Sequence, residues 1–460
     1  MTMPREFSVR GKKVTVVGAA RSGIAAAYLL ARRGASVTLS DVRPALPEQE
    51  DLRAAGVQLE LGPHDPATFS RADVIVLSPG VPSSQPAVAA ARAAGVHVMG
   101  ELELASRWLR GRIVAITGTK GKSTTTTLTG RMLEAGGHHV LVGGNIGHPL
   151  SAQVDESRPD TIHVVEASSF QLESIDTFRP WISVLLNFSA DHLDRHITLA
   201  EYAAAKSRIF VNQTAADWAV LNADDAAVAP MAAGIASRKL MFSMSDSLVA
   251  GVVIRGDEIV RRTPDGDQPL VPLSSIRLLG RHLVADVLAA SAVASLAGVD
   301  AAAMTRAVES FTGLEHALEP VAEISGVNFV NDSKATNVEA ARRAIESFDP
   351  VVVIMGGRFK GGDLSTLTEP LRERRATVVA IGEAQELIAE TFRDAVTVRS
   401  AGDMSAAVRM AFACAAPGAT VVLAPACASF DMFRDYAERG RVLKQEVERL
   451  KKEWNGVREQ

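Results

Sequence analysis

Residues 113–124, IVAITGTKGKST, predict a buried strand, a glycine-rich loop and the first turn of a helix. A loop in this setting surrounds phosphate groups with backbone N–H donors, while Lys122 reaches the outer phosphate oxygens and the Ser123 hydroxyl can bind Mg²⁺. Ile116 stands where the usual phosphate-loop pattern has its leading glycine. A turn that is merely capped by Ser and Thr is the alternative, but the strand and helix around the loop favour a nucleoside triphosphate site.

Strand-like and helix-like stretches alternate on both sides of this loop, from VTVVGAA at residue 14 to ATVVLAPACASF at residue 419. Such alternation is typical of parallel α/β sheets. At about 150 residues per domain, a chain of 460 residues predicts three α/β domains. These would be a Rossmann-like domain at 1–107, a central P-loop ATPase-like domain at 108–313 and a second Rossmann-like domain at 314–460. Within the central one, Pro264-Asp265-Gly266 predicts a small antiparallel hairpin.

The composition, 47% hydrophobic and 22% charged with a mean hydropathy of +0.11, predicts packed globular cores. A net charge of −4 gives no basic surplus, so neither nucleic acid nor an anionic membrane is expected as a partner. Two cysteines and an N-terminus without the apolar run of a signal peptide indicate a cytoplasmic protein. The longest weakly polar stretch, Leu283 to Ala303, carries two aspartates and predicts one buried helix rather than a membrane span.

A second, weaker nucleotide signal lies near the N-terminus. Gly18 to Gly23 approximates the pattern G-x-G-x-x-G between a strand and a helix, with Ala20 in the middle position. Asp41 ends the next strand, where a carboxylate can accept hydrogen bonds from a ribose hydroxyl. A plain parallel-sheet turn without a ligand explains the same residues.

Further motifs follow in order along the chain. They are GNIG at residues 144–147, EASSFQL at 166–172, DHLDR at 191–195, Lys206, NDSKATN at 331–337 and PACASFD at 425–431. With TGTKGKSTT they resemble the Mur ligases and folylpolyglutamate synthases, a superfamily of three-domain, ATP-dependent amide ligases. The resemblance runs from Val14 to about Arg441, and the PACASFD segment is similar to the signature of the members that add D-glutamate.

The resemblance implies a two-step ligation in the synthesis of peptidoglycan precursors. ATP would phosphorylate the carboxylate of UDP-N-acetylmuramoyl-L-alanine, and the amine of D-glutamate would displace phosphate from the acyl phosphate, leaving ADP as the other product. Because the substrate and the triphosphate are both anionic, cations and oriented donors must neutralise the transferring phosphoryl group. The expected partners are these small molecules, and the expected state is a cytoplasmic monomer.

The resemblance also implies which residues act. The catalytic residues would be Lys122, Glu166, His192 and Lys206. Two Mg²⁺ ions would be held by Ser123, Glu166, His192 and Lys206. Lys206 would carry a carbamate formed with CO₂, which needs a neutral amine, and hence burial or cationic neighbours; an exposed helix lysine is the plain alternative. ATP would be bound by Gly118, Thr119, Lys120, Gly121, Lys122, Ser123, Thr124, Asp332 and Lys334.

Two further sets of residues would bind the other substrates. The uridine diphosphate substrate would be bound by Gly18, Ser22, Gly23, Asp41, Arg43, Ser78, Gly80, Asn145, Ser168 and Ser169. D-Glutamate would be bound by Thr336, Lys360, Ser429 and Tyr436. Ordinary capping of loops by Gly, Ser, Asn and Asp is the alternative for the first set, and Lys360 could simply cover a loop.

Three positions depart from the superfamily's pattern. Leu283 and Asp286 stand where the segment G-x-H-N-x-x-N has amides, and Ala317 stands where an arginine is expected. Leucine forms no hydrogen bonds, and the loss of an arginine removes a bidentate cation. All three changes would fall around the nucleotide, so they put ATP affinity or rate in question.

Three alternatives stay open. Another Mur ligase or a folylpolyglutamate synthase belongs to the same class, although the latter normally lacks a full first domain. An NAD-dependent dehydrogenase would use Gly18 to Gly23 with Asp41, but it leaves Lys122 unexplained. A nucleotide-binding relative with impaired catalysis would explain Leu283, Asp286 and Ala317.

Overall fold

The computed structural model describes residues 7–189, 196, 198–277 and 281–458. The chain divides into two compact units, Met1–Arg277 with Arg281–Ser310, and Leu278–Gly280 with Phe311–Gln460. Three sheets form among the described residues, two in the first unit and one in the second, and each is mainly parallel with helices between its strands. The predicted α/β class is therefore confirmed. No helix within the described ranges has the length and apolar content needed to cross a bilayer.

The first sheet is formed by the segments near the N-terminus. Its strands are β1 (Lys13–Val17), β2 (Ser36–Asp41), β3 (Gln58–Leu61), β4 (Val74–Leu77) and β5 (His97–Gly100). The helices are α1 (Arg21–Arg32), α2 (Gln49–Ala54), α3 (Pro66–Ser70), α4 (Pro86–Ala93) and α5 (Glu101–Ser106). The order β3-β2-β1-β4-β5, all parallel, puts the reversal of strand order between β1 and β4, where Rossmann-like sheets bind ligands.

The second sheet carries the predicted phosphate loop. Its strands are β6 (Arg112–Thr117), β7 (His139–Gly144), β8 (Thr161–Glu166), β9 (Ile182–Leu185), β10 (Trp218–Asn222), β11 (Arg238–Ser243), β12 (Gly251–Arg255), β13 (Glu258–Thr263) and β14 (Gly266–Pro272). The helices are α6 (Lys122–Ala135), α7 (Leu150–Gln153), α8 (Ser169–Leu172), α9 (Leu199–Ser207), α10 (Val228–Met231), α11 (Arg281–Leu296) and α12 (Ala301–Glu309), with 3₁₀ turns at Val154–Glu156, Arg208–Phe210 and Leu273–Ser275. The order is β14-β13-β12-β11-β10-β9-β6-β8-β7, in which β6 lies between β9 and β8. The predicted hairpin is confirmed, because β13 and β14 pair in antiparallel fashion across Pro264 and Asp265.

The stretch Leu283 to Ala303 forms two helices, so the prediction of a single helix is wrong. α11 ends at Leu296, and Gly298 follows with a φ of +81°. Asp300 then caps α12 by accepting a hydrogen bond from the backbone N of Ala303 at 2.8 Å. Glycine in the left-handed region ends helices and aspartate begins them, so this pair separates the two elements.

A buried glutamate on α5 fixes the first sheet against the second. The Glu103 carboxylate accepts hydrogen bonds from the backbone N atoms of Asp176, Thr177 and Phe178 at 2.8, 3.0 and 2.9 Å, and from Arg107 Nε at 2.7 Å. Burial alone would raise the pKa of Glu103, but the three backbone donors and the Thr177 hydroxyl outweigh it and hold the pKa below its usual value. The ionised carboxylate therefore binds the loop between α8 and β9 to α5.

The second unit contains the third sheet. Its strands are β15 (Glu319–Ile324), β16 (Val327–Asn331), β17 (Val351–Gly356), β18 (Thr377–Ile381), β19 (Thr397–Ser400) and β20 (Thr420–Leu423). The helices are α13 (Val338–Glu346), α14 (Thr368–Glu373), α15 (Gln385–Phe392), α16 (Met404–Cys414) and α17 (Tyr436–Arg458), with a 3₁₀ turn at Leu364–Leu367. The order β15-β16-β20-β17-β18-β19 is parallel apart from the antiparallel edge strand β15. The carboxyl ends of β16, β20 and β17 therefore lie side by side.

Candidate functional site

The phosphate loop has the predicted shape. Thr117 is the last residue of β6, and α6 begins at Lys122, so the loop leads directly into a helix of 14 residues. Gly121 takes a φ of +80° at the N-cap of α6, a conformation that favours glycine. A Cβ atom at Gly121 would overlap Asp286 Oδ1, so close packing also requires glycine here. The dipole and the backbone N–H groups at the start of a helix favour anions, so this end of α6 suits phosphate groups.

Asn187 holds the loop in this shape, and sequence reasoning missed it. Its Oδ1 accepts hydrogen bonds from the backbone N atoms of Thr119 and Lys120 at 3.1 and 2.9 Å, and its Nδ2 donates to Lys120 O at 3.1 Å. Ser189 N donates to Thr119 Oγ1 at 3.0 Å. The available signal was an asparagine two residues after the end of the apolar strand β9, which neighbours β6 in the sheet.

The basic and hydroxyl residues of the loop lie at the start of α6. Lys122 Nζ donates a hydrogen bond to Thr119 O at 2.9 Å, which folds the side chain back over the loop. Ser123 and Thr124 occupy the first turn of α6 and are half-buried. The predicted ATP residues of the first unit, 118–124, are thus contiguous around one helix N-terminus.

Glu166 lies beside this loop with one oxygen unsatisfied. It ends β8, and it is the register partner of Ile116 in β6. Its side chain is 2% exposed, and Oε1 accepts a hydrogen bond from Asn145 Nδ2 at 2.7 Å. Oε2 is buried and has no hydrogen-bond partner among the described residues. A buried carboxylate oxygen left open in this way suits a hard cation such as Mg²⁺, which takes one or two carboxylates and keeps waters.

Lys206 is buried against the phosphate loop. The side chain is 1% exposed, Nζ donates to Gly118 O at 2.7 Å and it lies 4.6 Å from the ring centroid of Tyr202. The alternative of an exposed helix lysine is therefore wrong. His192, the remaining predicted metal ligand, lies outside the described residues.

Both serines of the EASSFQL segment have hydrogen-bond partners within the protein. Ser168 is the N-cap of α8, where its Oγ accepts from the backbone N of Gln171 at 3.3 Å and a capping box is complete. Ser169 Oγ lies 3.0 Å from Nε2 of His196, whose ring stacks on Phe170. The geometry of Ser168 therefore matches the alternative of ordinary helix capping.

The N-terminal glycine loop follows β1, beside the carboxyl end of the neighbouring strand β4. Ser22 Oγ and Ser78 Oγ are 3.0 Å apart, so two predicted substrate residues from separate segments meet. Gly18 has a φ of +88°, and a Cβ at Gly23 would overlap Gly18 O, so packing of the turn requires both glycines. Gly80 is exposed, and a Cβ there would meet nothing within 4 Å.

Asp41 shapes this loop through its own hydrogen bonds. Its Oδ2 accepts from Ala19 N at 2.6 Å, and its Oδ1 accepts from Arg43 Nε at 2.8 Å. Arg43 Nη2 also donates to Ala19 O at 2.7 Å. The hydrogen bond from Arg43 lowers the pKa of Asp41 to about 2, against the opposing effect of burial. The pair is charged at neutral pH and fixes the loop that would face a diphosphate.

In the second unit, the NDSKATN segment turns sharply after β16. Asp332 Oδ1 accepts from Leu318 N at 3.3 Å, and burial raises the pKa of Asp332 to about 6. Lys334 N donates to His316 O at 3.0 Å, and Thr336 N donates to Lys334 O at 2.8 Å. The three predicted residues of this segment therefore lie on one short turn.

The predicted D-glutamate residues lie on neighbouring loops of the same unit. The loop after β17 and the loop after β20 are joined by two hydrogen bonds of 2.9 Å, between the backbones of Arg358 and Ala428. These loops carry Lys360, which is exposed, and Ser429, which is buried. Tyr436 begins α17 with 41% of its surface exposed.

Backbone strain marks one of the departures from the superfamily's pattern. Ala317 lies between His316 and Leu318, whose φ angles of 66° and 45° are both in the left-handed region. Non-glycine residues in that region are strained and concentrate at functional sites. Leu283 is half-buried in the first turns of α11, three residues before the buried Asp286.

Models of one protein family match three segments of the chain. The Mur ligase MurD-like, N-terminal domain matches residues 12–100, the Mur ligase middle domain matches 116–294, and the Mur ligase glutamate ligase domain matches 318–427.

Similar proteins and similar structures agree with these matches. The UDP-N-acetylmuramoylalanine--D-glutamate ligase of Acidobacterium capsulatum is 48% identical over 95% of this chain and 96% of its own length. The protein of the same name from Koribacter versatilis is 44% identical over 96% and 99%. The crystal structure of the UDP-N-acetylmuramate-alanine ligase of Thermotoga maritima has a TM-score of 0.59 at 18% identity, covering 96% of this chain and 100% of that one. At that identity the last comparison supports the fold alone.

Proposed function

The chain belongs to the Mur ligase family, and we propose that it adds D-glutamate to UDP-N-acetylmuramoyl-L-alanine in peptidoglycan precursor synthesis, with ATP converted to ADP and phosphate. The observation that carries the reaction class is the phosphate loop with the buried, half-satisfied carboxylate of Glu166 beside it. The identity of the amino acid is supported by relatives of that name, which match nearly the whole chain at 44–48% identity.

The proposed reaction has two displacements. A carboxylate oxygen of the UDP substrate attacks the γ-phosphorus of ATP, the bond to the bridging oxygen breaks, and ADP leaves. The amine of D-glutamate then attacks the acyl carbon, loses a proton and expels phosphate. Lys122 and the N-terminal amides of α6 would stabilise the negative charge that builds on the phosphoryl oxygens. Asn187 would hold the loop before α6 in shape through the backbone N atoms of Thr119 and Lys120.

Mg²⁺ fits the residues beside the loop. Glu166 offers a buried oxygen that has no hydrogen-bond partner in the described part of the chain, and Ser123 offers a hydroxyl in the first turn of α6. We propose these residues, together with His192 and a carbamate on Lys206, as ligands of two ions. When bound, Mg²⁺ would neutralise charge on the phosphates. The burial of Lys206 beside Gly118 of the phosphate loop supports its place among these ligands.

Substrate recognition is proposed for the two sets of loops described above. The UDP substrate would be held by the loop 18–23, Asp41 with Arg43, the segment 78–80, Asn145, Ser168 and Ser169. Thr336, Lys360, Ser429 and Tyr436 would hold D-glutamate, with its amine left to attack. Asp332 and Lys334 would contact the nucleotide. The domain boundaries at 107 and 313, the monomeric state and the cytoplasmic location remain predictions.

One assay tests the proposal. Phosphate release from ATP is measured with UDP-N-acetylmuramoyl-L-alanine and, in turn, D-glutamate, L-alanine or a diamino acid. Release that depends on D-glutamate is the expected result, and Lys122→Met should abolish it while the exposed Lys239→Met leaves it unchanged.

Other outcomes would favour the alternatives. Release with a different amino acid would indicate another Mur ligase. Tight binding of the UDP substrate without release would indicate an impaired relative, which the loss of hydrogen-bonding groups at Leu283 and Ala317 would explain. Oxidation of NADH would indicate a dehydrogenase and refute the proposal.

A further inference from the structure

A buried arginine lies among the loops that carry the candidate D-glutamate residues. Arg439 belongs to the first turn of α17, and only 1% of its surface is exposed. Its Nε donates to Ser333 Oγ at 3.0 Å, and its Nη2 donates to Ser333 O at 2.9 Å. Its Nη1 donates to Cys427 O at 3.1 Å and to Gly356 O at 3.4 Å.

These acceptors come from three separate segments, each at or just after the carboxyl end of a strand. Ser333 follows β16, Gly356 ends β17, and Cys427 follows β20, so the guanidinium lies where three adjacent strands end. The same loops carry Lys334 and Thr336, then Lys360, then Ser429. The side chain of Arg439 therefore joins the three loops that bear Thr336, Lys360 and Ser429. The fourth predicted D-glutamate residue, Tyr436, lies on α17 with Arg439 itself.

The charge of Arg439 is the unusual part of this arrangement. All four acceptors are neutral oxygen atoms, three carbonyls and one hydroxyl. The nearby carboxylate of Asp431 has its Oδ2 engaged with the backbone N of Glu383 at 2.9 Å. Burying a cation without a hydrogen-bonded counterion is costly, and here burial lowers the pKa of Arg439 to about 10. Neutral side chains could join loops at lower cost, so the charge itself calls for an explanation.

The positive potential of Arg439 reaches the loop that holds Ser429. Burial raises the pKa of the Cys427 thiol to about 11, while Arg439 and Lys360 both act to lower it and Asp431 acts to raise it. The geometry agrees for Arg439, because its Nη1 lies 3.1 Å from Cys427 O, two residues before Ser429 in the same loop. A dicarboxylic amino acid needs positive potential for its carboxylates while its amine stays neutral.

We propose that Arg439 is a positioning residue for the amino-acid substrate, which joins the loops 331–337, 356–362 and 425–431 and adds its charge to that of Lys360 where the carboxylates bind. This inference rests on the proposed function for the identity of the amino acid. It does not depend on that function for the joining of the loops, which is a property of the free protein.

Three variants and one control test the proposal in the full-length protein. Arg439→Lys keeps the charge and loses the planar fork, Arg439→Met loses the charge at similar volume, and Ser333→Ala removes one acceptor. Arg449→Gln, on the exposed face of the same helix, is the control. KM for D-glutamate, ATP and the UDP substrate and kcat are measured, together with hydrogen exchange of the three loops.

The expected result is a selective rise in KM for D-glutamate. Arg439→Met should raise it by about 10- to 100-fold, the effect of losing a charged hydrogen-bonding group, and Arg439→Lys should raise it less. KM for the UDP substrate and all constants of Arg449→Gln should stay unchanged. Amides in all three loops should exchange faster in Arg439→Met. If Arg439→Met fails to fold, the values of KM for D-glutamate in Arg439→Lys, Ser333→Ala and the wild type are compared instead.

Equal changes in all three KM values, or an unchanged KM for D-glutamate, would overturn the role of the charge. Faster exchange in one loop alone would refute the inference that Arg439 joins the three loops. A wild-type protein that releases no phosphate with D-glutamate would refute the proposed function instead, and the exchange measurement would still decide whether Arg439 joins the loops.

Discussion

Asp286 lies beneath the phosphate loop with its carboxyl group buried. The side chain is 4% exposed, because α11 packs on α6. Its Oδ1 accepts a hydrogen bond from Thr125 Oγ1 at 3.2 Å, and its Oδ2 has no partner among the described residues. Burial, only partly offset by the Thr125 hydrogen bond, raises the pKa of Asp286 from 3.8 to about 8. We therefore expect stability to fall as pH rises, and Asp286→Asn to abolish that part of the fall.

The magnitude follows from the pKa difference between the folded and unfolded chain. Below pH 4 both states hold the proton, so the carboxyl costs nothing by ionisation. Between pH 4 and 8 the unfolded chain releases the proton and the folded chain keeps it, which favours unfolding by about 1.4 kcal/mol per pH unit. The loss at pH 7 is about 4 kcal/mol. An amide does not ionise, so the advantage of Asp286→Asn should grow with pH and level off above 8.

Thermal unfolding of the two proteins at pH 5, 6, 7 and 8 measures this effect. For a chain of several domains the midpoint is the appropriate quantity, and about 4 kcal/mol corresponds to roughly 8 °C in a large domain. Any constant offset from the amide cancels in the comparison across pH. Asp265→Asn, in the exposed hairpin turn, is the control and should show no trend. A difference between Asp286→Asn and wild type that stays flat from pH 5 to 8 would refute the reasoning.

Three other substitutions test contacts described above. Glu103→Gln should lower the unfolding midpoint by the equivalent of about 2 to 4 kcal/mol, because an amide nitrogen would face backbone donors; the exposed Glu50→Gln should not. Asn187→Ala should raise KM for ATP by about 10-fold, since Lys120 N loses its acceptor and Thr119 N keeps only the backbone O of residue 187; an unchanged KM would contradict its role. Lys206→Ala should abolish phosphate release, and short carboxylic acids should restore part of it; full turnover in the variant would exclude Lys206 from the reaction.

The phosphate loop could be predicted from sequence because all its determinants are local. Strand β6, the glycines and Lys122 fall within twelve consecutive residues, so spacing alone fixes their arrangement. The order of strands in each sheet follows from the same alternation of strand and helix. The break after Leu296 was missed because alanine-rich sequence hides the stop, although Gly298 and Asp300 carried the signal.

Residues whose role depends on distant segments could not be recognised in the same way. Asn187 lies 67 residues from Lys120, the residue it holds. Arg439 lies in a helix rich in Arg, Lys and Glu, where sequence gives no means of separating one buried guanidinium from its exposed neighbours. The burial of Lys206 likewise follows from the packing of α9 against the phosphate loop, which only the folded structure shows.

Of the three departures from the superfamily's pattern, Asp286 differs from the other two in kind. A carboxyl group that keeps its proton has an O–H donor and an acceptor oxygen, and so resembles an amide. With a pKa of about 8, Asp286 is neutral at pH 7 and adds no negative charge beside a loop suited to phosphates. Leu283 has no hydrogen-bonding group and Ala317 no cation at any pH. KM for ATP should therefore rise between pH 7 and 9 in the wild type and stay level in Asp286→Asn; parallel curves for the two proteins would show that the ionisation of Asp286 has no part in nucleotide binding.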